Sequence, residues 1–320
     1  MTALRGKALV AYLLVCVFWG STYLAIRIGV AELPPFLFAG TRFMIAGLVL
    51  LATALALGGT LPRDWPSWRT QGMVGLFLLL GGNTFVVWAE QFTDSGIASL
   101  FVVTVALWLA LFDALMPGGT RLSPRILAGL GLGLVGTILL IGATPAQILA
   151  ADLRGPLALT LASASWAFGS VLFKRNPGRV ASPYVAASMQ MVVGGTAVTL
   201  LGLALGETTR WQFSPAGLGA LAYLIVFGSL VGYTSYFYAL RHASPAIVGT
   251  YAYVNPVIAV LLGWLILDEP LGPRTFVAMA LILGAVAWIQ TARVLPQSRE
   301  AVPQRPSAAG PSAAGTDRAG

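Results

Sequence analysis

Apolar residues in this chain run in long blocks, and polar positions collect at the block ends. Marking every Asp, Glu, Lys and Arg leaves ten uncharged intervals of at least 18 residues: 8–26, 43–62, 70–89, 95–112, 126–151, 155–173, 180–206, 211–240, 242–267 and 275–292. Each interval can supply the roughly 20 apolar residues that a helix needs to cross the hydrocarbon core. A segment crossing lipid must satisfy its own backbone hydrogen bonds, so these blocks predict helices. The expected fold is an all-α polytopic membrane protein with ten transmembrane helices.

The pattern is also duplicated. The stretch Phe18 to Arg27 returns 147 residues later as Ser165 to Lys174, placing Trp19 on Trp166 and Arg27 on Lys174. At a spacing of 148, Pro35, Phe36, Arg42, Phe43, Ala46 and Gly47 meet Pro183, Tyr184, Gln190, Met191, Gly194 and Gly195. This divides the chain into a first five-helix repeat, 1–144, and a second, 145–293. An odd number of spans per repeat requires the second copy to insert upside down. The loop charges agree: Glu90 and Asp94 flank a loop without Lys or Arg, whereas the aligned loop carries Arg241 and His242.

Composition narrows the function. Charged residues make up 9% of the 320 and hydrophobic ones 57%, against roughly 25% charged in soluble domains. Ten spans then leave no room for a soluble catalytic domain. The net charge of +8 would suggest nucleic acid in a soluble protein, but here its distribution decides. Of 19 Lys and Arg, 14 fall in the termini and loops on one side, four (Arg27, Arg154, Arg210 and Arg274) on the other, and Arg42 inside a span. Positive loops stay inside, so both termini are expected in the cytoplasm of a bacterial inner membrane. Residues 294–320 are dominated by Pro, Ser, Ala and Gly, which reads as a disordered cytoplasmic tail. Cys16 is the sole cysteine, so no intramolecular disulfide is expected. Arg5 and Lys7 precede an apolar run without a small-residue cleavage site, and the first helix is expected to be retained.

Several motifs compete for meaning. Gly131, Gly133 and Gly136 spell a phosphate-loop pattern, but no strand precedes them; Gly129/Gly133, Gly202/Gly206 and Gly228/Gly232 have the four-residue spacing of close helix packing. His242 is the only histidine and expected at an interface, so neither a paired-His metal site nor any cofactor is expected. Asp113, close to Pro117, is also read as interfacial. Asn255-Pro256 predicts a break midway along the ninth span, since proline leaves the Ala252 carbonyl without its donor. Tyr251, four residues before Asn255, shares that face.

Polar groups recur at the same place in both repeats: Ser21, Thr22 and Tyr23 beside Trp19, and Ser163, Ser165 and Ser170 beside Trp166. Tyr233 and Tyr236 add hydroxyls in the eighth span. Asn83 lies seven residues before Glu90 on nearly one helix face. Arg42 either snorkels outward or faces a pathway. The expected substrate site is therefore one polar, aromatic-lined cavity near the midplane bordered by Trp19, Ser21, Tyr23, Asn83, Trp166, Tyr233, Tyr236, Tyr251 and Asn255. Glu90, with Arg42 as charge partner, is the candidate coupling pair.

At Phe18-Trp19-Gly20-Ser21-Thr22-Tyr23, Pro35 to Arg42, Trp88-Ala89-Glu90, Ser95 to Ser99, and Asn255-Pro256 to Leu271, the sequence resembles the drug/metabolite transporter superfamily in its EamA-type ten-helix branch. The resemblance covers roughly residues 8–292. It implies an inner-membrane exporter of a small metabolite, amino acid or drug, with protons as the candidate coupling ion, and a cavity lined mainly by spans one, three, four, six, eight and nine. Two departures stand out: Ala106 where many members carry a proline in span four, and Gly118-Gly119 in place of the acidic pair Asp268-Glu269. The partners expected are a small organic solute, protons, the lipid bilayer and a second copy in a homo-oligomer, with no nucleic acid. The alternatives weighed are a nucleotide-sugar or phosphate-ester exchanger, which would want several cations in its cavity, an intramembrane enzyme, and a non-transporting scaffold.

Overall fold

In the computed structural model, residues 4–91, 101–117, 123–141, 153–176, 182–267 and 272–290 are described, together with Gly119, Ala146 and Val180. Asp94, Arg179 and Asp268-Glu269, and the tail after residue 290, lie outside the described residues. No strand occurs among those described. The helices are α1 (Lys7–Glu32), α2 (Pro35–Ala56), α3 (Trp65–Ala89), α4 (Phe101–Leu115), α5 (Pro124–Ile141), α6 (Arg154–Arg175), α7 (Pro183–Ala204), α8 (Pro215–His242), α9 in two pieces (Pro245–Gly249 and Tyr251–Leu267) and α10 (Pro273–Gln290). Six of them, α1, α2, α3, α6, α7 and α8, are each long and apolar enough to cross a bilayer unaided. The chain is a polytopic membrane protein.

Helix starts follow local chemistry. Asp64, Ser182, Ser214 and Ser244 each stand just before a helix and accept from the N–H three residues on, at 3.0, 3.4, 3.0 and 3.4 Å. A proline follows each cap within two residues, where its missing N–H costs nothing. At the start of α2 the cap comes from a distance: Glu207 accepts from Phe36 N (3.3 Å) and Leu37 N (2.8 Å).

Packing is crossed between the two halves. α1 lies against α8 and α9, α6 lies against α3 and α4, α2 pairs with α7, and α5 pairs with α10. The α2–α7 contact is close because small residues line it: a Cβ on Gly195 would sit 2.6 Å from the Met44 nitrogen, and one on Gly202 2.9 Å from that of Leu37. In α5, Gly129, Gly133 and Gly136 face Ile289, Tyr253 and Ile282, whereas Gly131 faces open space. The glycine-rich run of α5 is thus a packing face. Gly206 belongs to no such face; it ends α7 in the left-handed region, φ 73°.

Two irregularities repeat. Leu76–Asn83 within α3 and Leu224–Tyr233 within α8 are wound as π-helix. Each is followed by a threonine whose hydroxyl reaches back into it: Thr84 to Leu79 O at 2.8 Å, Thr234 to Leu230 O at 2.5 Å. α4 and α9 are each interrupted by one turn residue, Thr104 (φ −61°, ψ −14°) and Thr250 (φ −63°, ψ −14°). Their hydroxyls donate three residues back, to Phe101 O (2.5 Å) and Ile247 O (2.7 Å), which tightens that turn. The interruption of α9 therefore falls at Thr250, while the helix continues through Asn255-Pro256. The turn that Pro256 loosens is supported instead by Asn255, whose carboxamide, with Nδ2 turned inward, donates to Tyr251 O (3.1 Å) and Cys16 O (3.3 Å).

Candidate functional site

Where the crossed halves meet, a cavity of about 90 Å³ opens between α1, α2, α3, α4, α6, α8 and α9. Apolar residues form most of its wall, and the aromatic rings are held by contacts across the halves. Trp19 lies 5.4 Å from Trp166, 5.0 Å from Tyr251 and 5.1 Å from Tyr236, ring centre to ring centre. Offset and edge-on geometries of this kind suit aromatic quadrupoles. Each tryptophan presses on a glycine of the other half: a Cβ on Gly82 would meet Trp166 at 3.0 Å, and one on Gly232 would meet Trp19 Cδ1 at 2.8 Å. Both glycines belong to the π segments. Those segments also turn carbonyls outward, so that Trp19 Nε1 donates to Gly228 O (2.9 Å) and Ser165 Oγ to Phe77 O (2.7 Å).

Of the nine substrate-site residues expected from sequence, seven line this cavity: Trp19, Tyr23, Asn83, Trp166, Tyr233, Tyr251 and Asn255. Two do not. Ser21 is turned to Tyr223, Oγ to Oη 2.6 Å, and donates to Phe18 O (2.8 Å), because the residue two places from Trp19 falls on another helix face. Tyr236 is fully buried behind the ring cluster and donates to Ser170 Oγ (2.7 Å). Sequence reasoning passed over Ile26, Phe43, Gly82, Val86, Val102, Val105, Ala162 and Gly228 as wall residues. Gly82 was findable, since it stands two residues before Thr84 as Gly232 does before Thr234; Gly228 and the aliphatic residues carry no mark that separates wall from lipid face.

Most hydrogen-bonding groups of the wall are engaged. Thr22 donates to Trp19 O (2.8 Å), Ser163 to Phe101 O (3.1 Å) and Tyr233 to Gln190 Oε1 (3.0 Å), and Gln190 in turn holds Gln71 at 2.6 Å. Asn83 Oδ1 is buried without a partner. Trp166 Nε1, close to the Tyr236 and Tyr251 hydroxyls, forms no hydrogen bond of good geometry. A buried polar group left open is costly unless something fills it.

The two expected coupling residues are separated. Arg42 is 4% exposed, donates through Nε to Ser229 Oγ (2.9 Å) and lies 4.6 Å from the Phe43 ring centre. It makes no ion pair with Glu90. Glu90 sits at the end of α3 beside Tyr23, with Arg27 as its charged neighbour and its Oε1 buried and without a partner. Ile26, Val86 and Glu90 lie toward one end of α1 and α3, so the cavity lies on the Glu90 side of the tryptophan pair. The opposite side is packed: Phe173 and Phe237 touch at 4.4 Å, both about 1% exposed. There Asp113, expected at an interface, is 2% exposed and paired with Arg175 Nη2 at 2.5 Å. Lys174 Nζ donates to Leu240 O (2.6 Å) and Arg241 O (3.0 Å), closing the carbonyl end of α8. His242 stacks on Tyr238 at 4.3 Å.

Comparison with known proteins places this architecture. The profile described as EamA-like transporter family matches residues 6–142 and 153–291. The chain is 37% identical over 280 residues to "Uncharacterized inner membrane transporter YedA" of Escherichia coli (strain K12), covering 87% of this chain and 89% of that protein. It is 30% identical over 281 residues to "Aromatic amino acid exporter YddG" of Ancylobacter novellus, covering 84% and 92%. A solved crystal structure superposes with a TM-score of 0.73 at 27% identity, covering 89% of this chain and 98% of the other.

Proposed function

The chain belongs to the EamA-like transporter family, and on that premise we propose that it is a secondary transporter exporting a small organic solute by alternating access of two inverted repeats, 1–144 and 145–293. The observation that carries this is the cavity itself. It lies between the crossed halves, is walled by aromatic rings and includes Asn83, whose buried Oδ1 has no partner. Discontinuous helices at the bilayer midplane are where transporters bind; the turns at Thr104 and Thr250 and the two π segments supply them here. On this reading the cavity binds and releases, and catalyses nothing. The aromatic wall favours solutes with an apolar or aromatic body, in keeping with the aromatic amino acid export for which the Ancylobacter relative is named. Among the described residues Arg42 is the one cation of the wall, which disfavours phosphate esters with two or more charges.

Proteoliposomes loaded with a panel of amino acids and aromatic metabolites, with and without a pH gradient, test the proposal. Gradient-stimulated accumulation of at least one solute, abolished by crowding the cavity from its wall with Val102→Trp, is expected. Absence of transport for every solute from a well-folded, correctly inserted protein would remove it.

The Lys and Arg distribution supports cytoplasmic termini. In a Cys16→Ser background, Thr209→Cys on the loop after α7 is expected to react with an impermeant maleimide added to intact cells, and Thr60→Cys on the loop after α2 only in inside-out vesicles. The reverse pattern would invert the topology.

Glu90 is the proposed coupling residue, with Arg27 in place of Arg42 as its electrostatic partner. Its buried, unpartnered oxygen beside Tyr23 of the cavity wall supports a proton-holding role. Glu90→Gln should lose gradient-driven transport by roughly tenfold or more, a barrier change of about 1.4 kcal/mol, while counterflow without a gradient survives. Retention of full gradient-driven transport would reduce Glu90 to an interfacial residue.

A further inference from the structure

Separated from Glu90, Arg42 is left without a part in coupling, and its surroundings are unusual for a charge inside a membrane. Guanidinium groups at this depth are almost always paired with a carboxylate or with backbone carbonyls, because an unpaired charge there is expensive. Here Nε is held by the neutral Ser229 hydroxyl and the flat face lies near Phe43. Among the described residues, Nη1 and Nη2 have no acceptor, and no Asp or Glu lines the cavity that Arg42 enters. Gly228 brings the backbone of α8 close beside the fork; a Cβ there would lie 2.6 Å from Nη2. The guanidinium is thus fixed from one side, cradled by a glycine from another, and open toward the cavity.

We infer that Arg42 is the anion anchor of the transport site: its two terminal nitrogens receive a carboxylate of the solute, while the tryptophan and tyrosine rings take the solute's apolar body. The planar fork of arginine matches the two oxygens of a carboxylate, which lysine does not reproduce. One cation balances one negative charge, and this selects monocarboxylates over phosphate monoesters. Ser229 is a positioning residue, because it orients the fork through Nε without reaching the cavity.

This inference rests on the transporter reading and deepens it, so its test measures binding and leaves turnover aside. Purified protein in nanodiscs is titrated by calorimetry with matched acids and amides: tryptophan and tryptophanamide, phenylalanine and phenylalaninamide, indole-3-acetate and indole-3-acetamide. The acid of a binding pair is expected to bind roughly 10- to 100-fold more tightly, the range for a hydrogen-bonded charge pair. Arg42→Gln should erase that difference and keep the weaker binding of the amide. Arg42→Lys should recover part of it, and Ser229→Ala should keep a preference for the acid. If Arg42→Gln fails to fold, Gly228→Ala, which pushes the fork aside without removing it, should erase the preference. Equal binding of acid and amide, an acid preference that survives Arg42→Gln and Gly228→Ala, or a panel in which no acid binds would each overturn the inference. Transport of some solute in proteoliposomes would stand in all three cases, which separates failure of the anchor from failure of the transporter reading.

Discussion

Asp113→Ala is expected to open the side of the molecule opposite Glu90, seen as a roughly tenfold or greater rise in the labelling rate of a cysteine buried beneath the cavity. Asp113 and Arg175 join α4 to α6, one helix from each half, at the end where Lys174 closes the carbonyls of α8. Both must part if a solute is to leave on that side. Asp113 is buried, whereas the Arg175 side chain is about a fifth exposed, so water offsets some of the loss when the pair is broken. A hydrogen bond to a charged group contributes about 1.5–3 kcal/mol, and about 1.4 kcal/mol shifts a conformational population tenfold. Ser170→Cys in a Cys16→Ser background is a suitable reporter, being close to isosteric and fully buried under Tyr236. An unchanged labelling rate in inside-out vesicles carrying Asp113→Ala would show that this ion pair does not hold that side shut.

Trp19→Ala should abolish transport and destabilise the fold by about 3–5 kcal/mol, the range for removing a large buried aromatic side chain. Trp19 touches three rings, fills the space above Gly232 and donates to Gly228 O, so its loss leaves a void and an open carbonyl in the same place. The two tryptophans nonetheless differ in a way that substitution by phenylalanine separates. The Trp19 N–H is held by the protein, whereas the Trp166 N–H lacks a well-formed bond. Trp19→Phe should therefore lower the unfolding temperature and leave the solute KM nearly unchanged. Trp166→Phe should raise KM several-fold at nearly constant unfolding temperature, as expected for losing a hydrogen bond of about 1 kcal/mol. An unchanged KM in Trp166→Phe would mean that its indole N–H does not reach the solute.

The legible parts of this protein are those that charge and bulk write into the chain. Uncharged blocks located α1, α2, α3, α6, α7 and α8, and the echo of Phe18 to Arg27 led to the tryptophan pair, because large aromatic residues at matched positions stand out against an aliphatic background. Contacts between distant segments were not legible. Nothing in Leu76 to Asn83, a run of Leu, Phe, Gly and Asn, distinguishes π from α winding. Asn255-Pro256 drew the expected break because proline removes a donor, yet the interruption lies at Thr250, whose hydroxyl bond to Ile247 O depends on geometry that composition does not reveal. The same turn occurs at Thr104, with Ala106 and no proline just beyond it, so a proline is not what makes this turn. Arg42 and Glu90 looked like partners for want of other charges; tertiary packing gave one of them Ser229 and the other Arg27.

The π segments bear on how such a molecule can move. A π turn holds more residues than an α turn, and each residue passed between the two windings rotates the rest of the helix by about 100° and shifts it by about 1.5 Å along the axis. In α3 the segment leads into the short run Thr84–Ala89 that ends at Glu90; in α8 it leads into Thr234–His242 and the carbonyls that Lys174 holds. Rewinding either segment would act as a screw. In α3 it would turn the Glu90 carboxyl group beside Tyr23, and in α8 it would turn the carbonyls that Lys174 holds, with neither helix having to break. One mechanical element thus recurs once in each half, leading toward Glu90 in α3 and toward the Lys174 contact in α8.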